Sequence, residues 1–296
     1  MALPRLTCCI TFDFDAMSVW IGSVGTTNPS MVSRGEFGAV AIPRILDLLA
    51  RYKVPASFCV PGHTVLAFPD LVRRIHGEGH ELVHHGWVHE NPADFDEAGE
   101  RQILERGLDA LDRVTGVRPT GYRSPAWNLS PITTDLLLEY GFVYDSSCMG
   151  DDTQPYYLRK GDSWTKDAPY RFGKSTDLVE LSVSWGLDDF PAFEFVMGVM
   201  PGYSAPSAVE EIWRGDFDFA HAHSPGGIYN LTLHPQVIGR GHRMLMLERL
   251  IRHFASMPGV EFATMGAYAA AWKAQNPLSA WAPANPVHTG AGALDN

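Results

Sequence analysis

The sequence has few positive charges and no long apolar segment. Lysine and arginine total 23 residues against 34 aspartates and glutamates, which gives a net charge of −11. Proteins that bind nucleic acids gain affinity from lysines and arginines that neutralise phosphates, so this balance argues against a nucleic-acid partner. No segment reaches the roughly 18 apolar residues that a membrane-spanning helix needs. The acidic composition also gives no reason to expect binding to an anionic membrane.

Cysteine is scarce, and its spacing does not form a metal-binding or redox motif. The four cysteines are Cys8, Cys9, Cys59 and Cys148, and no two of them make a Cys-x-x-Cys pair. Three of them lie in apolar, strand-like segments, where a free cysteine packs as a small hydrophobic residue. We therefore expect buried, reduced thiols.

The N-terminal residues lack the features of a secretory signal. Residues 1–10 contain no basic segment, no separate apolar stretch and no cleavage site, and they lead directly into a predicted strand. We therefore expect a cytoplasmic protein. A chain of 296 residues can bury a substantial core, and we find no internal repeat or linker that would divide it into separate domains.

What the sequence does contain is an alternation of short apolar segments with longer amphipathic ones. The short segments predict strands at 6–12, 55–60, 81–84, 120–125, 142–145, 178–185, 229–233 and 260–264. The longer segments predict helices at 39–52, 69–77, 96–115, 131–140, 207–220, 243–257 and 265–274. Strand and helix in alternation predict an α/β fold in which a parallel sheet, closed into a barrel, lies inside a layer of helices.

Three segments do not fit this alternation. The polar, glycine-containing stretch Ser18–Gly38 predicts a long loop, and loops of that length often cover a functional site. Residues 151–174 are polar and irregular, which predicts an insertion or a surface loop. After residue 275 the composition turns to proline, alanine and glycine, so we predict one domain over 1–275 and a poorly ordered tail over 276–296.

A histidine-rich segment follows the third predicted strand. His85 and His89 stand four positions apart, with Gly86 between them. On a helical turn, residues with this spacing share one side, so two imidazoles could bind one ion. Catalytic zinc usually takes three protein ligands, so a third would have to come from elsewhere. Taken alone, these histidines and His84 could equally be surface residues or satisfied core residues.

Two acidic residues lie at the end of the first predicted strand. Asp13 and Asp15 are two positions apart, so both side chains leave the same side of an extended chain. Beside a metal ion, one carboxylate could bind the ion while the other accepts a proton from the attacking water. Without a metal, such a pair would more commonly cap a helix or carry surface charge.

Two further strand ends present an arginine and a histidine. Arg123 could hold a free carboxylate through bidentate hydrogen bonds and keep it ionised, although it could also be a surface arginine paired with any acid. His234 follows an apolar strand and is suited to donate a proton to a leaving nitrogen. The motif around His234 is weak by itself because the chain contains twelve histidines.

Together these motifs resemble those of the polysaccharide deacetylase family, which is also known as the NodB-homology or carbohydrate esterase 4 family. Its motifs are, in order, Thr-Phe-Asp-Asp, His-x-x-x-His, Arg-x-Pro with an aromatic residue, and a late Leu-x-His. The matching positions in this chain are Thr11–Asp15, His85–His89, Arg123–Pro125 with Trp127, and Leu233 with His234. The resemblance spans about residues 6 to 272.

The resemblance implies an irregular (β/α) barrel in a single domain, a divalent metal ion, expected to be zinc, and specific residue roles. These roles are Asp13 as catalytic base, Arg123 as the residue that orients it, His234 as catalytic acid, Asp15, His85 and His89 as metal ligands, and Trp127 as a substrate contact.

Two departures from the family pattern carry information. Phe14 separates the two acids, which are adjacent in the family motif, so either Asp13 or Asp15 could be the metal ligand. Trp127 lies one residue later than the usual aromatic position. These features make the chain similar to the intracellular branch of the family, which includes peptidoglycan deacetylase-like proteins, cyclic imide hydrolases and allantoinases.

The resemblance implies a metal-dependent hydrolase of carbon–nitrogen bonds other than peptide bonds. We expect a small linear or cyclic amide or imide as substrate, since polymeric glycans lie outside the membrane and no secretion signal is recognised. An N-deacetylase of peptidoglycan or chitin-type N-acetyl sugars is the alternative. A non-catalytic, metal-dependent carbohydrate-binding protein is a third reading, but it would not need the additional acid Asp13. We also expect a homo-oligomer.

Overall fold

The computed structural model describes residues 3–290, in which nine strands form one sheet. The strands are β1 (Leu6–Asp13), β2 (Ala56–Val60), β3 (Glu81–His84), β4 (Gly121–Tyr122), β5 (Tyr144–Asp145), β6 (Tyr156–Lys160), β7 (Lys174–Glu180), β8 (Gly227–Leu233) and β9 (Val260–Phe262). The helices are α1 (Pro29–Tyr52), α2 (Gly62–Ala67), α3 (Pro69–Gly77), α4 (Glu97–Thr115), α5 (Thr133–Glu139), α6 (Asp189–Phe193), α7 (Pro206–His223), α8 (Pro235–Ile238), α9 (Gly241–Ser256), α10 (Met265–Gln275), α11 (Leu278–Ala284) and α12 (Pro286–Thr289). Within residues 3–290, no helix is both long and apolar enough to cross a membrane.

The strands follow the order β6-β7-β5-β4-β3-β2-β1-β8, and β9 pairs with the first half of β1. All pairs are parallel except β6 with β7, which run antiparallel. The alternation of strands and helices therefore predicted the parallel part of the sheet correctly. It missed β6, which lies inside the segment 151–174 that was predicted to be irregular.

The sheet curls but does not close through a continuous ladder. Among the described residues, the gap beside β8 is crossed by an isolated parallel bridge between Thr232 and Asp188. A side chain also crosses it, because the amide nitrogen of Asn230 donates hydrogen bonds to the carbonyl oxygens of Ser182 at 3.0 Å and Leu181 at 3.3 Å. One backbone bond, from Ile228 to the carbonyl of Thr153 at 2.9 Å, supports the same junction. The fold is thus an irregular, incompletely closed (β/α) barrel, as expected.

Successive side chains of β1 point alternately into the apolar core and toward a buried arginine. Cys8, Ile10 and Phe12 belong to the apolar cluster that α1 and α9 cover, and all three are fully buried. The intervening residues Thr11 and Asp13 point to the opposite side, where both contact the same arginine. Each fully buried large apolar side chain stabilises the fold by roughly 1.5–3 kcal/mol. The four cysteines are free, and three of them are buried, as predicted.

The predicted loop over Ser18–Gly38 is wrong for its second half, since α1 begins at Pro29. The side chain of Asn28 caps the first turn of the helix, and proline is favoured at the first helical position. Glycines within this stretch made it look like a loop. One of them, Gly35, is required by packing, because a Cβ atom there would overlap the backbone of Ala16.

The predicted disordered tail over 276–296 is also wrong where the structure describes it, because α11 and α12 lie within that range. Trp281 is only 7% exposed, and its ring lies 5.3 Å from that of Tyr157 and 6.2 Å from that of Trp272. One large aromatic side chain therefore anchors a segment whose composition predicts disorder. Residues 291–296 lie outside the described part of the chain.

Candidate active site

The predicted catalytic residues meet at one edge of the sheet. Asp13 is the last residue of β1, His85 directly follows β3, Arg123 follows β4 and His234 follows β8. Asp15 lies two residues beyond β1. In parallel α/β sheets the carboxyl ends of the strands share one edge, so residues far apart in sequence come together there.

Asp15, His85 and His89 form a buried cluster whose possible ligand atoms all lie within 4.8 Å of one another. The Nε2 atom of His85 is 3.4 Å from Oδ1 of Asp15, and that of His89 is 3.7 Å from Oδ2. Both carboxylate oxygens of Asp15 and Nε2 of His85 are buried without a hydrogen-bond partner. Unpaired buried polar atoms are costly, and this donor set suits a zinc-like divalent ion. The three residues therefore fit the expected metal ion.

Hydrogen bonds to the other ring nitrogens orient both histidines. The Nδ1–H of His85 donates to the carbonyl oxygen of Arg123 at 2.7 Å. Ser23 donates its hydroxyl proton to the carbonyl oxygen of His89 at 2.7 Å, so Nδ1–H of His89 donates to the Ser23 oxygen at 2.6 Å. Both Nε2 atoms then carry free lone pairs, as metal-ligating imidazoles require.

The turn that carries the two histidines is not helical, contrary to the prediction. His89 has a backbone φ of 64° and Gly86 has a φ of 70°. These left-handed conformations reverse the chain between the two imidazoles. The left-handed region favours glycine, which accounts for Gly86, whereas a histidine there is uncommon. The four-residue spacing thus brings the side chains together through a tight turn and not along one side of a helix.

Arg123 holds Asp13 through a single hydrogen bond, not the predicted bidentate pair. Its Nη1 donates to Oδ1 of Asp13 at 2.7 Å and to the hydroxyl of Thr11 at 2.8 Å. Its Nη2 and Nε donate to the hydroxyl and the carbonyl oxygen of Ser146, at 3.0 and 3.2 Å. Ser146, which follows β5, therefore accepts from the two other nitrogens of the guanidinium. The arginine is fully buried.

The charge of Asp13 is maintained by its neighbours. Burial alone would raise its pKa, but the positive charges of Arg123, His85 and His234 outweigh burial and lower the pKa to about 2. Oδ2 of Asp13 is 4.0 Å from Nε2 of His85, whereas the carboxylate of Asp15 lies near both histidines. The geometry thus places Asp15 within the candidate metal-binding cluster and Asp13 beside it.

His234 completes the polar end of the site. Its Nε2 lies 3.6 Å from Oδ2 of Asp15, and its Nδ1–H donates to Oδ1 of Asp189 at 2.8 Å. Burial alone would lower the pKa of His234, but the carboxyl groups of Asp188 and Asp189 raise it to about 10. The imidazole can therefore carry a proton at neutral pH.

The chain is similar to enzymes of one family over nearly its whole length. The sequence pattern of the polysaccharide deacetylase family matches residues 29–144. The peptidoglycan deacetylase of Helicobacter pylori is 37% identical over 279 residues, which cover 90% of this chain and 95% of the relative. The chain belongs to the polysaccharide deacetylase family. This membership makes it a hydrolase of carbon–nitrogen bonds other than peptide bonds.

Solved structures agree with this membership. A crystal structure described as that of a candidate polysaccharide deacetylase from Mycobacterium smegmatis superposes with a TM-score of 0.82 at 35% identity, covering 93% of this chain and 94% of that one. The PuuE allantoinase superposes with a TM-score of 0.77 at 23% identity, covering 93% and 92%. At that identity, the allantoinase shows only that the fold is shared. The predicted NodB-type barrel is confirmed.

In this member of the polysaccharide deacetylase family, a cavity of about 370 Å³ borders the candidate catalytic and metal-binding residues. Its polar end contains Asp13, Asp15, Ser23, His89, Asp188 and His234. Its other walls are apolar and contain Val19, Val24, Ala126, Trp127, Trp185, Phe190, Val196, Val199 and Met200. The ring centroids of Trp127 and Trp185 are 4.1 Å apart. The segment Ser18–Gly38 was predicted to cover the site. It does so in part, since Val19, Ser23 and Val24 line one wall of this cavity.

Sequence reasoning missed several residues of this family member's site. Asp188 and Asp189 support His234, yet they were not among the predicted residues, although two adjacent acids after a predicted strand could have drawn attention to them. Ser23 and Trp185 were also missed. No local pattern distinguishes that serine or that tryptophan, because their roles depend on contacts with His89 and Trp127 across the cavity.

Proposed function

We propose that this polysaccharide deacetylase family member is a metal-dependent hydrolase of a small amide or imide, linear or cyclic. The size and lining of the cavity above the metal cluster carry this proposal. Ligand pockets for small molecules have volumes of roughly 300–1,000 Å³. The cavity, at about 370 Å³, lies near the lower end of that range.

The residues at the polar end can divide the chemistry between them. Asp15, His85 and His89 would hold one divalent ion, for which zinc is the candidate that the donor set favours. When bound, such an ion polarises the amide carbonyl and lowers the pKa of the attacking water. Asp13, kept ionised by Arg123, accepts a proton from that water.

His234 supplies the second proton transfer. Its raised pKa means that the imidazole is protonated at neutral pH, and Asp189 holds Nδ1 so that Nε2 is turned toward the metal cluster. An amide nitrogen leaves poorly as an anion, so a proton donated from Nε2 as the bond breaks assists the departure. Asp13 and His234 thus act as base and acid at one site.

The apolar walls favour a compact substrate over a sugar chain. The rings of Trp127 and Trp185 could lie against the planar atoms of an imide or amide. On these walls the only hydrogen-bonding side-chain groups are the indole N–H groups of Trp127 and Trp185, so most sugar hydroxyls would lose water without gaining a partner. A polymer would also need to leave the cavity on both sides of the scissile bond.

The N-deacetylation of peptidoglycan amino sugars is a second candidate. The observation that favours it is the 37% identity to the Helicobacter pylori peptidoglycan deacetylase over nearly the full length of both chains. A purely carbohydrate-binding role is less well supported, since such a role gives no reason to keep the ionised Asp13 beside the metal-binding cluster.

Comparing substrate classes on zinc-loaded enzyme tests the proposal. We expect kcat/KM to be higher for succinimide-type and hydantoin-type rings than for chito-oligosaccharides or peptidoglycan fragments. The Asp13→Asn variant, prepared in the same way, controls for contaminating hydrolases. An efficiency that is higher for glycans and increases with their length would reject the small-substrate proposal in favour of deacetylation.

A further inference from the structure

A third carboxylate of the active-site cavity, that of Asp188, is not used directly in the proposed reaction. Asp188 directly precedes α6, and a parallel backbone bridge to Thr232 holds it beside β8, the strand that leads to His234. Its side chain is buried, yet it lines the cavity together with Asp13 and Asp15. The proposed reaction gives Asp15 to the metal ion and uses Asp13 as the base. Asp188 is left without a chemical role of its own.

One oxygen of Asp188 is held by the protein. Its Oδ1 accepts a hydrogen bond from the backbone N–H of Phe190 at 2.7 Å, which caps α6. The same oxygen is 3.5 Å from Nδ1 of His234, which is too long for a hydrogen bond, whereas Asp189 accepts the Nδ1–H at 2.8 Å. Asp188 therefore acts on the imidazole through its charge alone, and the cap to Phe190 sets its orientation.

The other oxygen of Asp188, Oδ2, is free to meet a ligand. It has no hydrogen-bond partner within residues 3–290, since the contacts of this side chain with Phe190 and His234 both use Oδ1. Oδ2 of the neighbouring Asp189 is sealed from solvent, but Oδ2 of Asp188 is not, and it belongs to a residue that lines the cavity. Burial raises the pKa of Asp188 to about 7. A donor supplied by the substrate would favour the ionised form.

The surroundings of Asp188 indicate which substrate group meets this oxygen. Among the described residues that line the cavity there are three aspartates and no lysine or arginine. A carboxylate of a substrate would be repelled there, whereas an N–H group would make a charge-assisted hydrogen bond. Asp188 approaches His234 most closely at Nδ1, while the leaving nitrogen takes its proton from Nε2, on the side of Asp15. The N–H group that reaches Asp188 is therefore a neighbour of the leaving nitrogen.

We propose that Asp188 determines substrate specificity by accepting, at Oδ2, a hydrogen bond from a second N–H group of the substrate. The substrate is then a ureide, linear or cyclic, whose urea unit supplies both the leaving nitrogen and the second N–H. A simple imide such as succinimide has no second N–H and leaves the buried carboxylate without a donor, which lowers its affinity. A site built to hydrogen-bond a substrate N–H discriminates against an analogue that lacks it. This inference rests on the proposed function and narrows its substrate to ureides.

Two rings that differ in one N–H test the role of Asp188. Hydantoin and 1-methylhydantoin share the scissile imide, but the methyl group of the second replaces the other ring N–H. For the zinc-loaded, full-length wild type, we expect kcat/KM to be at least about tenfold higher for hydantoin. In Asp188→Asn this ratio should fall below about threefold, because the amide oxygen still caps Phe190 while Nδ2, a donor, replaces the accepting Oδ2.

The ratio separates specificity from a general effect on catalysis. Asp188 also raises the pKa of His234, so loss of that charge alone would slow the turnover of both rings and leave the ratio unchanged. Asp96→Asn is the matched control, because Asp96 is an exposed aspartate that caps α4 by accepting from the N–H of Gly99 at 2.9 Å. Its ratio should equal that of the wild type. An equal ratio in Asp188→Asn and the wild type would overturn the proposal.

Binding measurements distinguish a failure of this inference from a failure of the proposed function. Hydantoin and 1-methylhydantoin would be titrated calorimetrically into zinc-loaded Asp13→Asn and into the double variant Asp13→Asn/Asp188→Asn, both of which lack the proposed base. We expect hydantoin to bind at least about tenfold more tightly than 1-methylhydantoin only where Asp188 is present.

Each combination of turnover and binding has a defined meaning. The expected difference in binding, without turnover of either ring by the wild type, would reject the proposed hydrolysis and support the role of Asp188. Turnover of succinimide, hydantoin and 1-methylhydantoin with similar efficiency would support hydrolysis of small imides and overturn the role of Asp188. Equal binding of the two hydantoins, or no binding of either, would also overturn it.

Discussion

Arg123, which follows β4, contacts the end of β1 through one nitrogen. Its Nη1 donates to both Asp13 at 2.7 Å and Thr11 at 2.8 Å. Asp13 and Thr11 are two residues apart on β1, so the arginine lies along the inner side of that strand. The contact occupies Oδ1 of the aspartate and leaves Oδ2 directed toward His85, at 4.0 Å. One buried cation therefore orients the carboxylate that we propose as the base and also keeps it ionised.

The first prediction separates the two aspartates. Asp13→Asn should lower kcat by at least about 100-fold, because an amide cannot accept the proton, while the metal stays bound. Asp15→Asn should lose the metal instead. Steady-state kinetics and elemental analysis of both variants provide the measurement. If Asp13→Asn loses the metal and Asp15→Asn retains it, the two roles are exchanged.

A second prediction concerns the histidines of the metal cluster. His85→Ala and His89→Ala should each reduce the metal content to background, because either change leaves too few ligands. Ser23→Ala should weaken metal affinity by about 10- to 100-fold, since the imidazole of His89 loses the contact that orients it. Competition with a zinc chelator measures both effects. Ser33→Ala, at an exposed serine of α1, is the control and should bind the metal normally.

The pKa of Asp13 predicts how stability depends on acid. Its pKa is about 2 in the folded protein, against an ordinary value of 3.8. The ionised carboxylate therefore contributes stability that is fully present above about pH 4 and is lost as the pH falls toward 2, with a total of about 2 kcal/mol. Urea unfolding of metal-free protein between pH 2 and 5 should show this slope. Asp13→Asn should show a shallower slope, and an identical slope would contradict the assignment.

The pair of His234 and Asp189 predicts the alkaline limit of activity. The raised pKa of His234, about 10, means that the imidazolium is present at neutral pH and is lost as the pH rises through that value. Asp189→Asn removes a negative charge, so the alkaline limb of kcat should move to lower pH while the metal content is unchanged. Asp218→Asn is the matched control, because Asp218 pairs with the distant His253 at 2.7 Å. Equal pH profiles for Asp189→Asn and wild type would refute the role of Asp189.

The last prediction concerns the C-terminal helices. Trp281→Ala should destabilise the protein by about 3–5 kcal/mol, because it empties a site between Tyr157 and Trp272. Trp164→Ala, at a side chain that is 68% exposed, should change stability by less than about 1 kcal/mol. Urea unfolding of both variants measures the difference. Equal stability of Trp281→Ala and wild type would mean that α11 contributes little to the fold.

The fold could be predicted where the local pattern and the tertiary environment agree. The strands β1 and β2 are short apolar segments, the helix α4 has clear apolar periodicity, and α4 ends at Thr115 as predicted. The start of α1 and the helix α11 could not be predicted, because glycine and proline in those segments indicate loops. Close packing at Gly35 and burial of Trp281 outweigh those local preferences.

The sequence alone determined which chemical groups stand at the strand ends and, from the resemblance of their motifs, the class of reaction. Strand alternation and the shared edge of a parallel sheet are enough to bring Asp13, His85, Arg123 and His234 together. Only the tertiary structure decided which aspartate lies against both histidines, because Phe14 leaves that choice to the path of the chain after β1. It also decided the walls of the cavity and the acidic partners of His234. Those contacts join segments from distant parts of the chain, and their positions depend on how the sheet curls, which no local pattern encodes.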